Sequence, residues 1–274
     1  MVSYRVMLDV PKPVIWFLSG LLSARRREIG TRKRTRKLTC YQHAVLGLAW
    51  MRDKPDIPRL GAGFGLSQAT AYRYVDEVTR VLAAKAPGLR EQLEKALAGG
   101  TPFVILDGKI VDADRCREKA TSRKGREIDA WYSGKRKDFG GNVQAVFYPD
   151  GRPMWISDVL PGHVNDLAAA KQEAFSVIRP FTDRMPCLAD GGYEPAGHGI
   201  HTPVKKPAGM KELDVNAQTR NALIRSVRCR GERGFALLTQ RWQTLQHVTA
   251  SPGKIGQIAK AALVLVLFEH KMLT

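Results

Sequence analysis

The stretch that decides the fold is Met185–Tyr193, which reads MPCLADGGY. A short apolar run ends at Asp190 and enters two glycines, which predicts a strand with a carboxylate on the turn at its carboxyl end. Phe103–Gly108, FVILDG, has the same form, with Asp107 directly after the apolar run. Hard divalent cations prefer oxygen ligands, and phosphate chemistry uses such ions. The two acids therefore predict a metal-dependent site that acts on phosphate.

The elements between these strands indicate how they pair. Asn142–Tyr148 and Met154–Leu160 are β-rich runs around an Asp-Gly turn, which predicts a hairpin. Asn165 and Asp166 open a helix that is expected to run through Ile178. Strand, hairpin, helix and strand are the order of a ribonuclease H-like core, in which the two acid-bearing strands are neighbours. Asp107 and Asp190 are therefore expected at one edge of the sheet.

Glu232 is the candidate for a third acid. It lies one helical turn before Phe235, which begins an apolar stripe that continues through Leu238, Trp242 and Leu245. This spacing predicts that Glu232 faces the protein, where an acid is costly unless it is paired or bound to metal. A helix-capping or salt-bridge role with a neighbouring arginine is the alternative.

Composition limits the partners. The chain of 274 residues has 44 Lys and Arg against 26 Asp and Glu, a net charge of +18, which suits DNA, RNA or an anionic membrane. The apolar run Ala261–Phe268 is far shorter than the ~20 residues of a spanning helix, so it predicts a buried helix. Val14–Leu22 lacks a cleavage site, so we expect an intracellular protein. The four scattered cysteines predict reduced thiols.

The basic segment Arg25–Lys37 has almost no apolar content. It is expected to form an extended or mobile arm, either a solvated charge run or an arm that follows DNA phosphates. The phosphate contacts predicted within it are Arg32, Lys33, Arg34, Arg36 and Lys37.

Three helices are predicted after this segment: one from Leu38 to about Asp53, a short one over Ile57–Phe64, and a longer one that Ser67 caps. Short helix, glycine turn and longer helix are the parts of a helix-turn-helix. The longer helix has a buried face at Ala71, Val75, Val78 and Leu82. Its other residues are predicted to reach DNA: Gln68, Thr70, Tyr72 and Arg73. A small helical bundle with a polar face is the alternative.

The pattern changes at Gly99–Pro102, which predicts a two-domain α+β protein. Residues 1–98 are expected to form an all-α helix-turn-helix DNA-binding domain with its basic arm. Residues 101–274 are expected to form an α/β ribonuclease H-like endonuclease core, a mixed sheet flanked by helices. Within the core, Arg233 and Arg241 are further candidates for phosphate contacts.

Together these motifs resemble the DDE transposases of bacterial insertion sequences, in the Harbinger-like, insertion-sequence-five group. The resemblance covers nearly the whole chain. Its motifs also occur in the family's order and spacing. They are Phe64–Val75, Leu106–Gly108, Tyr132–Lys135, Trp155–Leu167, Ala189–Tyr193 and Glu232–Arg233. The chain departs from the family's usual residues at Lys109, Gly191 and Thr239, where Thr, Lys and Lys are common.

The resemblance implies that Asp107, Asp190 and Glu232 are a catalytic triad that holds two Mg²⁺ ions, with Mn²⁺ as a plausible substitute. Asp107 would bridge both ions, and the site would nick the ends of the element and join the freed 3′-hydroxyl to target DNA. Asp166 is a secondary candidate ligand, or it caps a helix together with Asn165.

The implied partners are double-stranded DNA, as terminal inverted repeats and target, and a second copy of the chain in the synaptic complex. The implied location is the bacterial cytoplasm, at the nucleoid, with no membrane contact. Two other functions are weighed against transposition. A domesticated, catalytically idle helix-turn-helix regulator would not need the acids, and a nuclease of RNA hybrids would have little use for the helix-turn-helix.

Overall fold

The computed structural model describes residues 8–32, 34–122, 124–209 and 212–273. It has two compact units. Unit 1 comprises residues 1–86, 239–246 and 257–274, and unit 2 comprises residues 87–238 and 247–256. These boundaries differ from those of the predicted domains 1–98 and 101–274. The division into these two domains stays a prediction.

The first part of unit 1, residues 8–86, contains four helices that bury apolar faces. They are α1 (Lys12–Glu28), α2 (Cys40–Asp53), α3 (Ile57–Gly63) and α4 (Gln68–Ala83). The helix α1 follows a proline and buries Leu18 and Leu22 completely. The start of α2 has a capping box, in which Thr39 Oγ1 accepts from the Gln42 backbone N–H and the Gln42 side chain accepts from the Thr39 N–H.

The helix pair α3–α4 has the predicted order and a glycine turn. Asp56 caps α3 by accepting a hydrogen bond from the Arg59 N–H, and Gly65 adopts a φ of +68° in the turn. Ser67 occupies the cap position of α4 but makes no side-chain cap bond; its hydroxyl lies 3.0 Å from that of Thr70. The predicted apolar face of α4 is buried. The DNA-binding role of this pair stays a prediction.

The basic segment is held more closely than an extended arm. Its first arginines form the last turn of α1. Arg36 Nη1 lies 3.0 Å from Glu77 of α4, and the Lys37 ammonium donates to the carbonyl of Gly65. The expectation of a detached arm is therefore wrong for these residues, because α4 and the glycine turn supply oxygen partners.

The central sheet of unit 2 has the strand order β4-β5-β1-β8-β9, and β6 and β7 also pair with β5. A separate two-stranded sheet of β2 and β3 lies in the basic stretch between β1 and β4. The strands are β1 (Val104–Asp112), β2 (Lys119–Thr121), β3 (Glu127–Asp129), β4 (Tyr132–Ser133), β5 (Asp138–Phe147), β6 (Pro153–Ile156), β7 (Leu160–Pro161), β8 (Cys187–Leu188) and β9 (Ile200–His201).

Two pairings within this sheet position the candidate site. The hairpin of β5 and β6 forms as predicted, with Gly151 at a φ of +89° in its turn. The strand β1 pairs antiparallel with β5 and parallel with β8, so the two predicted acid-bearing strands are neighbours. The mixed sheet that the sequence predicts is confirmed.

The remaining helices are α5 (Leu89–Ala98), α6 (Asp166–Glu173), α7 (Phe175–Ile178), α8 (Val215–Thr239) and α9 (Ile255–Glu269). The apolar side of α5 joins the core of unit 2 around Val104 and Leu106. The single helix expected over 165–178 is interrupted at Ala174. Ala261–Phe268 lies within α9, as predicted, and only its last residue is not fully buried. No helix in the described part of the chain is long and apolar enough to cross a membrane.

Candidate active site

Asp107 lies inside β1, at its fourth residue, and 9% of its surface is exposed. The prediction of a strand-end carboxylate is therefore wrong for this residue. The strand continues to Asp112 because β5 pairs with it along its whole second half, from Gly108 onward. Asp107 is nevertheless at the edge of the parallel part of the sheet, since its pairing with β8 ends at Ile105.

Asp190 has the equivalent place on the neighbouring strand. Ile105 is opposite Leu188 in the parallel register, so Asp107 and Asp190 each follow two residues after the last paired position. The chain then turns into a short 3-10 helix, Gly191–Tyr193, and Asp190 Oδ1 accepts a 2.6 Å hydrogen bond from the Gly192 N–H. The predicted turn after the acid is thus present and is fastened by the acid itself.

Glu232 departs from its prediction. Its side chain is 66% exposed, whereas an inward orientation was expected. The buried stripe of α8 runs through Ile224, Gly231, Phe235 and Leu238, so Gly231 takes the inward position. A Cβ added to Gly231 would lie 3.6 Å from Asp107 Cβ. Glu232 is therefore next in sequence to the residue that packs on Asp107, on the flank of the stripe.

Arg228 joins two of the acids. Its Nη1 lies 3.3 Å from Asp190 Oδ2, and its Nη2 lies 3.6 Å from Glu232 Oε1, one turn further along α8. This is the salt bridge that the sequence offers as an alternative role for Glu232. The guanidinium contacts a carboxylate on α8 and another on the turn after β8. The contact with Asp190 depends on the fold, so the spacing of charges along the sequence does not predict it.

Burial dominates the electrostatics of Asp107. Desolvation raises the pKa of its carboxyl to about 6. The positive charge of Arg228 and the Gly108 N–H, 3.0 Å from Oδ1, oppose this rise, whereas the negative charges of Asp190 and Asp166 add to it. A cation bound beside Asp107 would relieve this cost by favouring the ionised form.

Within residues 8–32, 34–122, 124–209 and 212–273, no three Asp, Glu, His or Cys side chains are grouped closely enough to hold a metal ion. The donor chemistry of Asp107, Asp190 and Glu232 still fits a hard divalent cation, because all three offer carboxylate oxygens and the buried Asp107 is incompletely compensated. The assignment of these acids as metal ligands stays a prediction.

Asp166 belongs to a buried polar network on the other face of β1. Asn165 caps α6 by accepting from the Ala168 N–H, so the capping role falls to Asn165. Asp166 Oδ1 accepts from Asn142 Nδ2 at 3.0 Å, and its Oδ2 lies 2.9 Å from Lys135 Nζ. The sequence signal for this network is the presence of Asn142 and Gln144 at alternate positions of an otherwise apolar strand.

The residues predicted to contact DNA divide into exposed and engaged side chains. On α4, Thr70 accepts from Arg73 Nη2 at 3.1 Å. Arg241 is engaged by Glu269 at 2.7 Å and by Asp9 at 2.9 Å, and Arg36 and Lys37 have the partners described above. Lys33 lies outside the described residues. The exposed members of the predicted set are Arg32, Arg34, Lys37, Gln68, Tyr72, Arg73 and Arg233, and of these Lys37 and Arg73 also make the bonds given above.

Comparison with known proteins adds one family. A model of the "DDE superfamily endonuclease" family matches residues 106–266, more than half of the chain. No curated protein matches the sequence. A solved structure titled "Crystal structure of a pre-cleavage Mos1 transpososome" aligns over 97% of this chain and 99% of that chain, at 12% identity and a TM-score of 0.23. A likeness of that size carries no argument about this chain.

Proposed function

This chain belongs to the DDE superfamily endonucleases, and we propose that it is a DNA transposase of the insertion-sequence-five, Harbinger-like type. It would nick phosphodiesters at the ends of an insertion sequence and join the freed 3′-hydroxyl to target DNA. The observation that supports this most is the parallel register of β1 and β8, which carries Asp107 and Asp190 to equivalent places beside each other.

Asp107, Asp190 and Glu232 are proposed as the catalytic acids and metal ligands. Asp107 is held on a strand, Asp190 on a turn that its own side chain fastens, and Glu232 on a long helix. Glu232 is the least constrained of the three, because its side chain is largely exposed and Arg228 is its only ion-pair partner among the described residues.

Two Mg²⁺ ions, with Mn²⁺ as a substitute, would activate the attacking oxygen and stabilise the leaving oxygen when bound. Asp107 contributes a carboxyl with little competition from water, since burial excludes solvent from it. Arg228 supplies positive charge to Asp190 and Glu232. The same charge lowers the pKa of Asp107 and so favours the ionised form of that carboxyl.

Recognition of DNA is assigned to the pair α3–α4 as a helix-turn-helix, with Gln68, Tyr72 and Arg73 exposed on α4. Arg and Gln suit base edges, whereas Tyr suits phosphate oxygens. The DNA partners would be the terminal inverted repeats and the target. A homodimer would bring the two ends together, and a bacterial cytoplasm with its nucleoid would be the setting.

The exposure of Glu232 and its bond to Arg228 favour one other candidate, the catalytically idle helix-turn-helix regulator. Such a protein would bind the same DNA through α4 and leave the acids unused. The two candidates differ in one measurable property, which is metal-dependent cleavage.

The test is Mg²⁺-dependent nicking of DNA that carries the ends of the source element, with Asp190→Asn beside the wild type. The exposed acid variant Asp183→Asn is the matched control, because it removes the same charge elsewhere in unit 2. We expect cleavage by the wild type and the control and a loss of at least a hundredfold in Asp190→Asn. Undiminished cleavage by Asp190→Asn would refute the site, and specific binding without cleavage by the wild type would support the regulator.

A further inference from the structure

A continuous chain of hydrogen bonds crosses the face of β1 opposite the packing of Asp107 on α8. The Tyr193 hydroxyl donates to Gln144 Oε1 at 2.7 Å, and Gln144 Nε2 donates to Asn142 Oδ1 at 2.8 Å. Asn142 Nδ2 then donates to Asp166 Oδ1 at 3.0 Å. Tyr193, Gln144 and Asn142 are essentially fully buried, so these bonds satisfy groups that would otherwise be expensive to bury.

Gly108 makes room for this chain directly after Asp107. A Cβ at Gly108 would lie 2.5 Å from Gln144 Nε2, 2.7 Å from Asp166 Oδ1 and 2.9 Å from the Tyr193 hydroxyl. The polar chain therefore touches the backbone of β1 beside the buried acid. At its other end it reaches Tyr193, three residues after Asp190, so it links β1 with the turn that carries Asp190.

The chain ends at one exposed cation. Lys135 lies in the turn between β4 and β5, and its side chain is 73% exposed while that of Asp166 is 12% exposed. Its Nζ lies 2.9 Å from Asp166 Oδ2. The bond to Asp166 first, and the charges of Asp190 and Asp107 in addition, raise the pKa of Lys135, so the ammonium stays charged.

Both oxygens of Asp166 are used in this arrangement. Oδ1 accepts from Asn142 and Oδ2 from Lys135, so Asp166 has the bonding of an anchor for an ammonium group and not of a metal ligand. A carboxylate that is buried and fixed by an amide holds its partner in one position. The partner is exposed, and DNA at the acids would offer it phosphate oxygens.

We propose that Lys135 is a catalytic residue that binds a DNA phosphate beside Asp107 and Asp190, and that Asp166 is the positioning residue that orients it. This assignment rests on the proposed function. Asp166 acts through Lys135, so the two side chains form one unit. The buried hydrogen bonds behind Asp166 hold the Lys135–Asp166 pair against β1 and the turn that carries Asp190.

The experiment uses four variants of the full chain: Lys135→Met, Lys135→Arg, Asp166→Asn and the double variant Lys135→Met/Asp166→Asn. Lys171→Met on α6 is the charge-matched control, since Lys171 is exposed in the same unit. The cleavage rate is measured at saturating DNA and metal. Mn²⁺ binding is measured on the protein alone by electron paramagnetic resonance.

A charge-assisted contact to phosphate predicts that Lys135→Met slows cleavage about ten- to a hundredfold. Lys135→Arg is expected to recover most of this loss, and Asp166→Asn to lose less than Lys135→Met. The double variant should be no slower than Lys135→Met alone, because the residues act as one unit. Mn²⁺ affinity should stay within about twofold of the wild type in all variants, a range in which no metal ligand has been lost.

In the cleavage and metal-binding measurements, three results would overturn the proposal: cleavage by Lys135→Met that equals the control, additive losses in the double variant, or an Asp166→Asn variant with about tenfold weaker Mn²⁺ binding. The last result would make Asp166 a metal ligand. DNA affinity measured against salt with Ca²⁺ in place of Mg²⁺ separates this proposal from the proposed function. Loss of one phosphate contact should reduce the slope of log affinity against log salt by about 1 in Lys135→Met relative to the wild type. This difference is expected whether or not the wild type cleaves DNA. An unchanged slope would refute the contact.

Discussion

Asp107→Asn should stabilise the metal-free protein at neutral pH while it abolishes any cleavage. Burial raises the pKa of Asp107 to about 6, against 3.8 for the unperturbed carboxyl. The folded protein therefore binds this proton more tightly than the unfolded chain does. The stability that comes from the protonated form is fully present below pH 3.8 and is lost as the pH rises through 6.

The magnitude follows from the size of the shift. A difference of roughly 2 pKa units corresponds to ~3 kcal/mol of unfolding free energy, at about 1.4 kcal/mol per unit. Asparagine keeps the size of the side chain and carries no charge at any pH. The advantage of Asp107→Asn over the wild type is therefore expected to approach ~3 kcal/mol at pH 8 and to shrink toward pH 4.

Urea unfolding in EDTA at intervals from pH 4 to pH 8 measures this difference. Asp183→Asn is the control for the change of net charge, because its carboxylate is 84% exposed. Adding Mg²⁺ should stabilise the wild type and leave Asp107→Asn unchanged, since ligand binding stabilises only the form that binds. An Asp107→Asn variant that is no more stable than the wild type at pH 8, or whose advantage is constant with pH, would refute the reasoning.

Two further predictions concern closely packed positions. Gly108→Ala should lower the unfolding free energy by about 1–3 kcal/mol, because its Cβ would lie under 3.0 Å from three polar atoms. Denaturant unfolding measures this loss beside the control Gly88→Ala, whose Cβ meets nothing within 4 Å. Equal stability of the two variants would contradict the prediction. Burial lowers the pKa of His43 to about 4, and its Nε2 bonds to the Tyr74 carbonyl at 2.8 Å. As the pH falls from 6.5 to 4, the His43 imidazole is protonated in the unfolded chain before it is protonated in the folded protein, which lowers the unfolding free energy by up to ~3 kcal/mol. His43→Gln should lose less unfolding free energy than the wild type when both are unfolded across this pH range. Parallel pH curves for the two proteins would contradict the assignment.

The pairing of the acid-bearing strands was predictable because the signal is local and repeated. Phe103–Asp107 and Met185–Asp190 are both apolar runs that end in an acid before glycine, and the intervening hairpin and helix restrict how they pair. The length of β1 was not predictable in the same way. Residues after Gly108 are mixed in polarity, and their strand structure depends on the long partner β5, which lies far along the chain.

The orientation of Glu232 shows where helical periodicity is insufficient. Counting three residues back from Phe235 gives Glu232, and counting four gives Gly231, and both are within one turn of the buried stripe. In the structure it is Gly231 that is buried and faces Ile105 and Asp107, whereas Glu232 is exposed. A glycine has no hydrophobic signal, so sequence periodicity favours the wrong one of the two.

The net charge of +18 overstates the charge that is available to DNA. Arg36 and Arg241 are each bound to carboxylates of their own unit, and Arg228 is bound to the proposed catalytic acids. Neutralising any of them leaves a partly buried carboxylate without its partner, which destabilises the fold directly. Loss of DNA binding in such variants therefore does not identify a phosphate contact. Arg73 is exposed and its bonded partner, Thr70, is uncharged, so loss of affinity with unchanged stability at this position is direct evidence of contact with DNA.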